Sequence, residues 1–349
     1  MGAPHAGATP RPRGPRILPG TGPARAPMSV LVVRPSSLGD IVYALALVSD
    51  VVRHRPGMAV DWVAERGFVP LVALDARVRR IVPSALRRWR GRPWSPSYWR
   101  DARGFVGALR AERYDVVLDL QEQLKGALIA RAAHGVRHGF DRASAREPIA
   151  TLLDDVHHAV DRDLHFVHRV RLLAAAALGY ELDTPPQWQL VPPAAPDVVP
   201  PRRYAVALTA TSRADKLWPE AHWIALMARL AQVGLAIVLP WGNADEEARC
   251  RRLAAAVPAA LVPERLTLPQ AAAVLAAAEV CIGVDTGFTH LSAALGTPTV
   301  AIFTATDVTR HGVSCAGAHA RDTGDIGATP DVESVMRAAA DVWKSTPRC

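Results

Sequence analysis

Cysteine is scarce: the 349 residues hold four, Cys250, Cys281, Cys315 and Cys349, none in a C-x-x-C or mixed Cys/His ligand spacing. That argues against both a zinc site and a disulfide framework, and a reducing cytoplasm is the compartment it favours. Long apolar runs are missing too. None approaches the roughly 18 residues of a membrane-spanning helix, and the opening MGAPHAGATPRPRGPRILPGTGPARAP has no apolar stretch of the secretory kind. Two phosphate-binding signatures are also absent. There is no G-x-x-x-x-G-K-[ST], and no G-x-G-x-x-G follows the first strand-like run.

What is present suits packed α/β domains: half of the residues are hydrophobic and 21% are charged. Residues 1–27, rich in Pro, Gly, Ala and Arg, are expected to form a disordered tail, with Met28 as the natural start. Arg11, Arg13, Arg16 and Arg25 lie in this tail without any acid, so it carries half of the formal net charge of +8. The basic balance of the whole chain is therefore weak evidence for a nucleic-acid partner.

Beyond the tail the chain alternates strand and helix patterns. SVLVVR (29–34) is a β-branched run closed by Pro35, and after Asp40 the residues Ile41, Ala44, Leu45, Val48 and Val52 share one helical face. Further strands are expected at 59–64, 79–83 and 114–120, with helices near 98–112, 121–133 and 163–178. The proline-rich stretch from 183 to 203 cannot be the interior of an element and reads as a linker, placed at 184–202. Strands then recur at 203–209, 235–240, 279–284 and 298–303, between helices near 219–232, 244–256, 268–277 and 286–295, before a last helix at 331–343. The expected architecture is α/β: two Rossmann-like, doubly wound domains, 28–183 and 203–349, facing a cleft, with the last helix a candidate to pack back on the first domain.

Two Asp-Thr-Gly triplets, at 285–287 and 322–324, raise the question of an aspartic protease, whose chemistry needs two facing carboxylates. The context argues against it. Asp285 ends an apolar strand and precedes a helix-like THLSAALG, and the second triplet lacks apolar flanks and lies too close to belong to another lobe. A strand-to-helix turn of this kind exposes backbone N–H groups that favour an anion. Asp285 itself would then accept hydrogen bonds from sugar hydroxyls or backbone amides, or simply cap its helix. In the first domain RPSSLGDIVYAL puts Ser36, Ser37 and Gly39 in the opening βα turn and Asp40 at the mouth of the helix, as an ordinary N-cap or as a carboxylate held at the cleft. Asp161-Arg162-Asp163 has the D-x-D form of some metal-nucleotide sites but is expected to be helix-start charge.

Together SSLGD, LRRWR (86–90), HGVRHGFDRASAREP (134–148), ATSRADKLWPEAHW (210–223), LPWGNADEE (239–247) and GVDTGFTHLSAALGTP resemble, in order, the type I side of the ADP-heptose:lipopolysaccharide heptosyltransferase family. The resemblance covers essentially 28–343, with the long tail and Gly91 as departures. It implies an inverting glycosyltransferase of the two-domain B-type fold that moves L-glycero-D-manno-heptose from ADP-heptose to a Kdo sugar of the lipid A inner core. It also implies no metal or other cofactor, no nucleic-acid partner, and a cytoplasmic, monomeric enzyme peripheral at the inner face of the inner membrane.

Carried over by position, the resemblance makes Asp40 the catalytic carboxylate. It places Thr211, Ser212 and Lys216 at the donor diphosphate, with Lys216 neutralising charge on the leaving ADP, Glu246 at the ribose, and Asp285, Thr286, Gly287 and His290 in the donor loop. Ser36, Ser37, Gly39, Arg87, Arg88 and Arg146 fall on the acceptor side. Each has a plainer reading: Lys216 as a solvated lysine, Glu246 as a first-turn helix acid, His290 as a packed side chain, the arginines as a solvated basic face. Heptosyltransferase II or a sugar epimerase would share the fold, and LRRWRGRPWSPSYWR could serve a non-enzymatic binder of nucleic acid or membrane. A protein begun at Met28 is expected to melt and turn over like the full chain; a large drop in melting temperature or activity would give residues 1–27 a role.

Overall fold

The computed structural model describes residues 28–85, 96–194, 196 and 203–344. The expected tail, the segment 86–95 that holds Arg87 and Arg88, and part of the linker lie outside these residues. Apolar strand runs do most of the building. SVLVV, YAVAL, VCIGV and TVAIF are buried at every position. Unbroken burial of that kind marks parallel strands covered by helices on both faces, and all registered strand pairs are indeed parallel.

The first domain runs β1 (Ser29–Val33), α1 (Leu38–His54), β2 (Ala59–Glu65), α2 (Val69–Val72), β3 (Val78–Ser84), α3 (Pro96–Arg110), β4 (Arg113–Asp119), α4 (Leu124–Ala132), β5 (His134–Phe140), β6 (Val156–His158) and α5 (Phe166–Leu178). The second runs β7 (Tyr204–Leu208), α6 (Glu220–Gln232), β8 (Ala236–Val238), α7 (Ala244–Ala256), β9 (Ala260–Leu261), α8 (Leu268–Ala276), β10 (Val280–Val284), α9 (Gly287–Ala294), β11 (Thr299–Phe303), α10 (Val308–His311), β12 (Ala320–Gly324) and α11 (Val332–Lys344). The six-stranded sheets have the orders β3-β2-β1-β4-β5-β6 and β12-β11-β10-β7-β8-β9. Read from opposite edges these are the same topology, the dinucleotide-fold order, with its switch point between β1 and β4 in one domain and β7 and β10 in the other.

Several expectations meet the structure here. The last helix stays with its own domain: Val335, Ala339 and Val342, at helical spacing, are buried with Trp223, Leu226, Ile282 and Ile302 in the core of the second sheet. The Asp161–Asp163 pair lies in an exposed turn ahead of α5 rather than in its first turn, with His165 as the cap. The second Asp-Thr-Gly triplet is strand, the end of edge strand β12, where Asp322 accepts from the backbone N–H of Val313 at 2.7 Å and Ser314 at 3.1 Å. The linker also begins later than its prolines suggest. Trp188 donates its indole N–H to the Val42 carbonyl at 2.7 Å, and the Val191 N–H bonds the Leu74 carbonyl at 2.8 Å, so this stretch is strapped to the first domain.

One buried ion pair ties α1, α5 and that strap together. Arg171 Nε and Nη2 meet Asp50 Oδ2 and Oδ1 at 2.7 and 2.8 Å, and Nη2 also donates to the Thr184 carbonyl at 2.8 Å. Breaking such a pair from one side strands a charge in the interior, whereas replacing both partners removes the desolvation problem. Asp50→Ala is therefore expected to lower the unfolding free energy by about 3–5 kcal/mol, and the double change Asp50→Leu, Arg171→Met to recover most of it. Urea unfolding of the two variants measures both; an additive loss in the double variant would mean that the pair is not the source of the cost.

Candidate active site

The switch points of the two sheets face each other, and the helices that leave them touch. Gly39 in the first turn of α1 and Gly287 at the start of α9 approach so closely that a Cβ on Gly287 would lie 2.8 Å from the Gly39 nitrogen and 2.7 Å from a Leu38 methyl. No larger residue fits that contact without moving backbone. Two helix N-termini, each with partial positive character, are thereby brought to one cleft.

Asp40 hangs into this cleft with its side chain 29% exposed. Arg34, buried at the end of β1, holds Oδ1 at 2.9 Å, while the Ser37 N–H and hydroxyl donate to Oδ2 at 3.0 and 2.9 Å. Burial works to raise the pKa of Asp40, but the Arg34 charge and the Ser37 hydrogen bonds outweigh it, so the carboxyl sits below its usual range. The reading of Asp40 as N-cap needs correction: Ser37 is the cap, the helix starts at Leu38, and Asp40, at its third position, reaches back to the Ser37 N–H from the cleft.

Opposite it, Asp285 follows β10 and is nearly buried. It accepts from Lys216 Nζ at 2.6 Å and lies 3.2 Å from His290 Nε2, while its backbone carbonyl accepts from the Thr211 hydroxyl at 3.0 Å. Its burial is overcome by the hydrogen bond and charge of His290 and by Lys216, which keep the carboxylate ionised far below its ordinary range. Asp285 thus organises neighbouring side chains, and Thr286 rather than Asp285 caps the helix that follows. The chain of contacts continues across the domain boundary. Tyr43 of α1 places its hydroxyl 3.1 Å from His290 Nε2 and donates to the His311 carbonyl at 3.0 Å. Burial, with the charges of Asp285 and Asp40, pushes that phenol well above its usual pKa. Nearby, His165 Nε2 reaches the Gly312 carbonyl at 2.8 Å, and burial lowers the pKa of this imidazole to about 4.

These groups line a cavity of about 390 Å³ bounded by Ser37, Gly39, Asp40, Thr211, Ser212, Lys216 and the 285–290 turn. A neighbouring cavity of about 560 Å³ shares Leu38, Phe68, Thr211, Ser212 and Thr286 with it and extends over Pro240, Trp241, Leu266 and Glu246. Thr286, the cap of α9, makes no side-chain capping bond, leaving the N–H groups of that helix start for another acceptor. Glu246 takes the plain role as well as lining the second cavity: it accepts from the Gly242 N–H at 2.7 Å and from Asn243 Nδ2 at 2.8 Å. Ser36 is half-buried and lines neither cavity, and Arg146 is exposed on the loop after β5, outside both linings. Arg87 and Arg88 lie outside the described residues. Sequence reasoning missed Arg34, Tyr43, Thr306 and His311. Arg34 had a readable signal, a lone cation closing an apolar strand; Tyr43 lies three residues from Asp40, one turn along the same helix, and could have been found from that spacing.

Facing switch points, one with an ionised carboxylate and the other with an open helix end and a lysine, beside an apolar chamber with a polar rim, define a two-domain glycosyltransferase acting on a nucleotide sugar. Residues 103–337 match glycosyltransferase family 9 (heptosyltransferase), and the chain belongs to that family. It is 41% identical over 286 residues to lipopolysaccharide heptosyltransferase 1 of Escherichia coli K12, covering 80% of this chain and 89% of that one. The solved structure of the E. coli heptosyltransferase WaaC with ADP superposes with a TM-score of 0.82 at 36% identity, over 90% of this chain and 100% of the other. The same enzyme with ADP-2-deoxy-2-fluoro heptose gives a TM-score of 0.76 at 36% identity, over 91% and 98%. The epimerase and non-enzymatic readings fall with this membership.

The Arg34 contact makes a pH test. A base whose pKa is depressed stays competent down to acid pH, so the acid limb of kcat/KM should lie below the ordinary carboxylate value of about 4. Arg34→Gln removes the charge that opposes burial and is expected to move that limb upward, while Arg34→Lys keeps it low. An unmoved limb in Arg34→Gln, with a melting curve showing a folded protein, would detach the limb from Asp40.

Proposed function

We propose that this enzyme is an inverting heptosyltransferase I, transferring L-glycero-D-manno-heptose from ADP-heptose to a Kdo sugar of the lipid A inner core. It works as a monomer in the cytoplasm, at the inner face of the inner membrane. The observation that carries the reading is the ionised Asp40 carboxylate facing the α9 helix end across the cleft. The 41% identity to a type 1 heptosyltransferase supports type I over type II, and the ADP and ADP-heptose analogue bound by the similar WaaC support the donor.

The chemistry is a single displacement. As the acceptor hydroxyl attacks the anomeric carbon, Asp40 takes its proton, the bond from that carbon to the diphosphate oxygen breaks, and ADP leaves with the electron pair. Attack opposite the leaving group turns a β-linked donor into an α-linked product. Lys216 has three N–H donors, and Asp285 engages one; the others, with Thr211, Ser212 and the N–H groups at 286–287, are placed to meet the diphosphate and its growing charge. The larger cavity takes adenosine, with Glu246 near the ribose. Arg87 and Arg88 grip carboxylate and phosphate groups of the acceptor. No metal is needed in this scheme.

Incubation with ADP-heptose and a deacylated Kdo acceptor, followed by ADP release and product mass, tests the reaction. Asp40→Asn keeps size and capping ability but loses basicity. It is expected to fold, to bind ADP-heptose as the parent does, and to lose turnover by about 10²–10⁴-fold. Chelator should leave the parent's turnover intact. Normal turnover by Asp40→Asn would move the base elsewhere, and a chelator loss restored by magnesium or manganese would favour a metal-held diphosphate.

A further inference from the structure

The flank of the first domain beside the cleft carries apolar side chains that none of the described residues covers. On α4, Leu124 and Leu128 are 40% and 56% exposed, and four and seven residues of helical spacing align them with the exposed Arg131. On the 3-10 turn Pro148–Leu153, Ile149 and Leu152 are 61% and 75% exposed, and a three-residue spacing stacks them on one side of such a turn. The two elements pack against each other. Glu147 fixes the junction by accepting from the Leu124 N–H and from Gln123 Nε2, each at 2.9 Å. Single exposed leucines are ordinary, but four large aliphatic side chains on two adjoining short elements form a patch, and a patch marks a contact surface.

The charges around it have one sign facing outward. Three nearby acids are engaged within the fold, Glu147 in that junction, Asp141 by the Ser144 N–H at 2.8 Å and Asp155 by Arg137, and burial raises the pKa of a fourth, Asp154, to about 6. Arg131 and Arg142 are exposed and have no ion pair among the described residues, and Arg146 is exposed beside Ile149. Aliphatic residues ringed by arginines match the interface of an anionic bilayer, where short apolar side chains enter the headgroup boundary and guanidinium groups meet phosphates. The elements follow β4 and β5 at the carboxyl edge of the sheet, the edge from which Asp40 also rises.

We propose that Leu124, Leu128, Ile149 and Leu152, ringed by Arg131, Arg142 and Arg146, dock this enzyme on an anionic lipid bilayer and so bring the cleft to a membrane-embedded acceptor. The proposal rests on the lipid-linked acceptor inferred above. It is tested with the full chain and with the double variant Leu128→Glu, Leu152→Glu, whose exposed positions leave melting unchanged. Flotation with vesicles of phosphatidylethanolamine and roughly one part in four phosphatidylglycerol should carry the parent and recover about tenfold less of the variant. Turnover on a water-soluble deacylated acceptor should be equal for both, while turnover on acceptor embedded in those vesicles should drop in the variant alone. Equal flotation of both proteins, or no flotation of the parent, overturns the docking surface; so does a variant whose only change is a lost dimer, which would assign the patch to a second copy of the chain. Absence of any transfer to the soluble acceptor would instead overturn the heptosyl reading, leaving the flotation result to be judged separately.

Discussion

The contact between Gly39 and Gly287 is the constraint on which the site depends. Two helices begin there, one from each domain, and only a hydrogen side chain at Gly287 lets their first turns meet. The meeting places two partial positive charges in one cleft, and each domain answers with a carboxylate already held by its neighbours: Asp40 by Arg34, Asp285 by Lys216 and His290. Both carboxylates remain charged for that reason. Their partners separate their functions, since Asp40 keeps an exposed edge in the cleft while Asp285 is enclosed by the groups it positions.

The boundary between the domains is consequently polar where it borders the cavity. Tyr43 bonds to His290 and to the backbone at His311, and His165 bonds to the backbone at Gly312. His290 is the shared member, touching Tyr43 on one side and Asp285 on the other. The side chains around the expected diphosphate position are therefore set partly by the neighbouring domain, and a change in the angle between the sheets would be felt at Lys216 through three hydrogen bonds.

Much of the fold was legible because parallel strands buried on both faces leave unbroken apolar runs. The central strands β1, β4, β7, β10 and β11 all announced themselves so, and the helices between them by period. The strands that escaped are β5, β6, β9 and β12: HGVRHGF, VHH and ARDTG are polar and β9 is two residues long, so their place is decided by pairing with a neighbour rather than by their own composition. At the site, Asp40, Thr211, Ser212, Lys216, Asp285, Thr286, Gly287 and His290 converge on one cavity, as strand-end turns of a doubly wound sheet must. Arg34 and Tyr43 were hidden because their importance lies in what they touch across the chain, and a sequence records spacing along the backbone only. Lys216, read alone, was a surface lysine; its 2.6 Å bond to Asp285, 69 residues away, is what places it in the cleft.

Because α11 stays on its own sheet, each domain is a single uninterrupted run of sequence among the described residues. All the strands and helices of the first domain precede Tyr204, and its strap is already anchored by Trp188 and Val191. Domains fold as units, with the N-terminal one first during synthesis. The half of the cleft that bears Asp40 is thus complete before the half that bears Asp285 has left the ribosome, and the second domain assembles against a finished template.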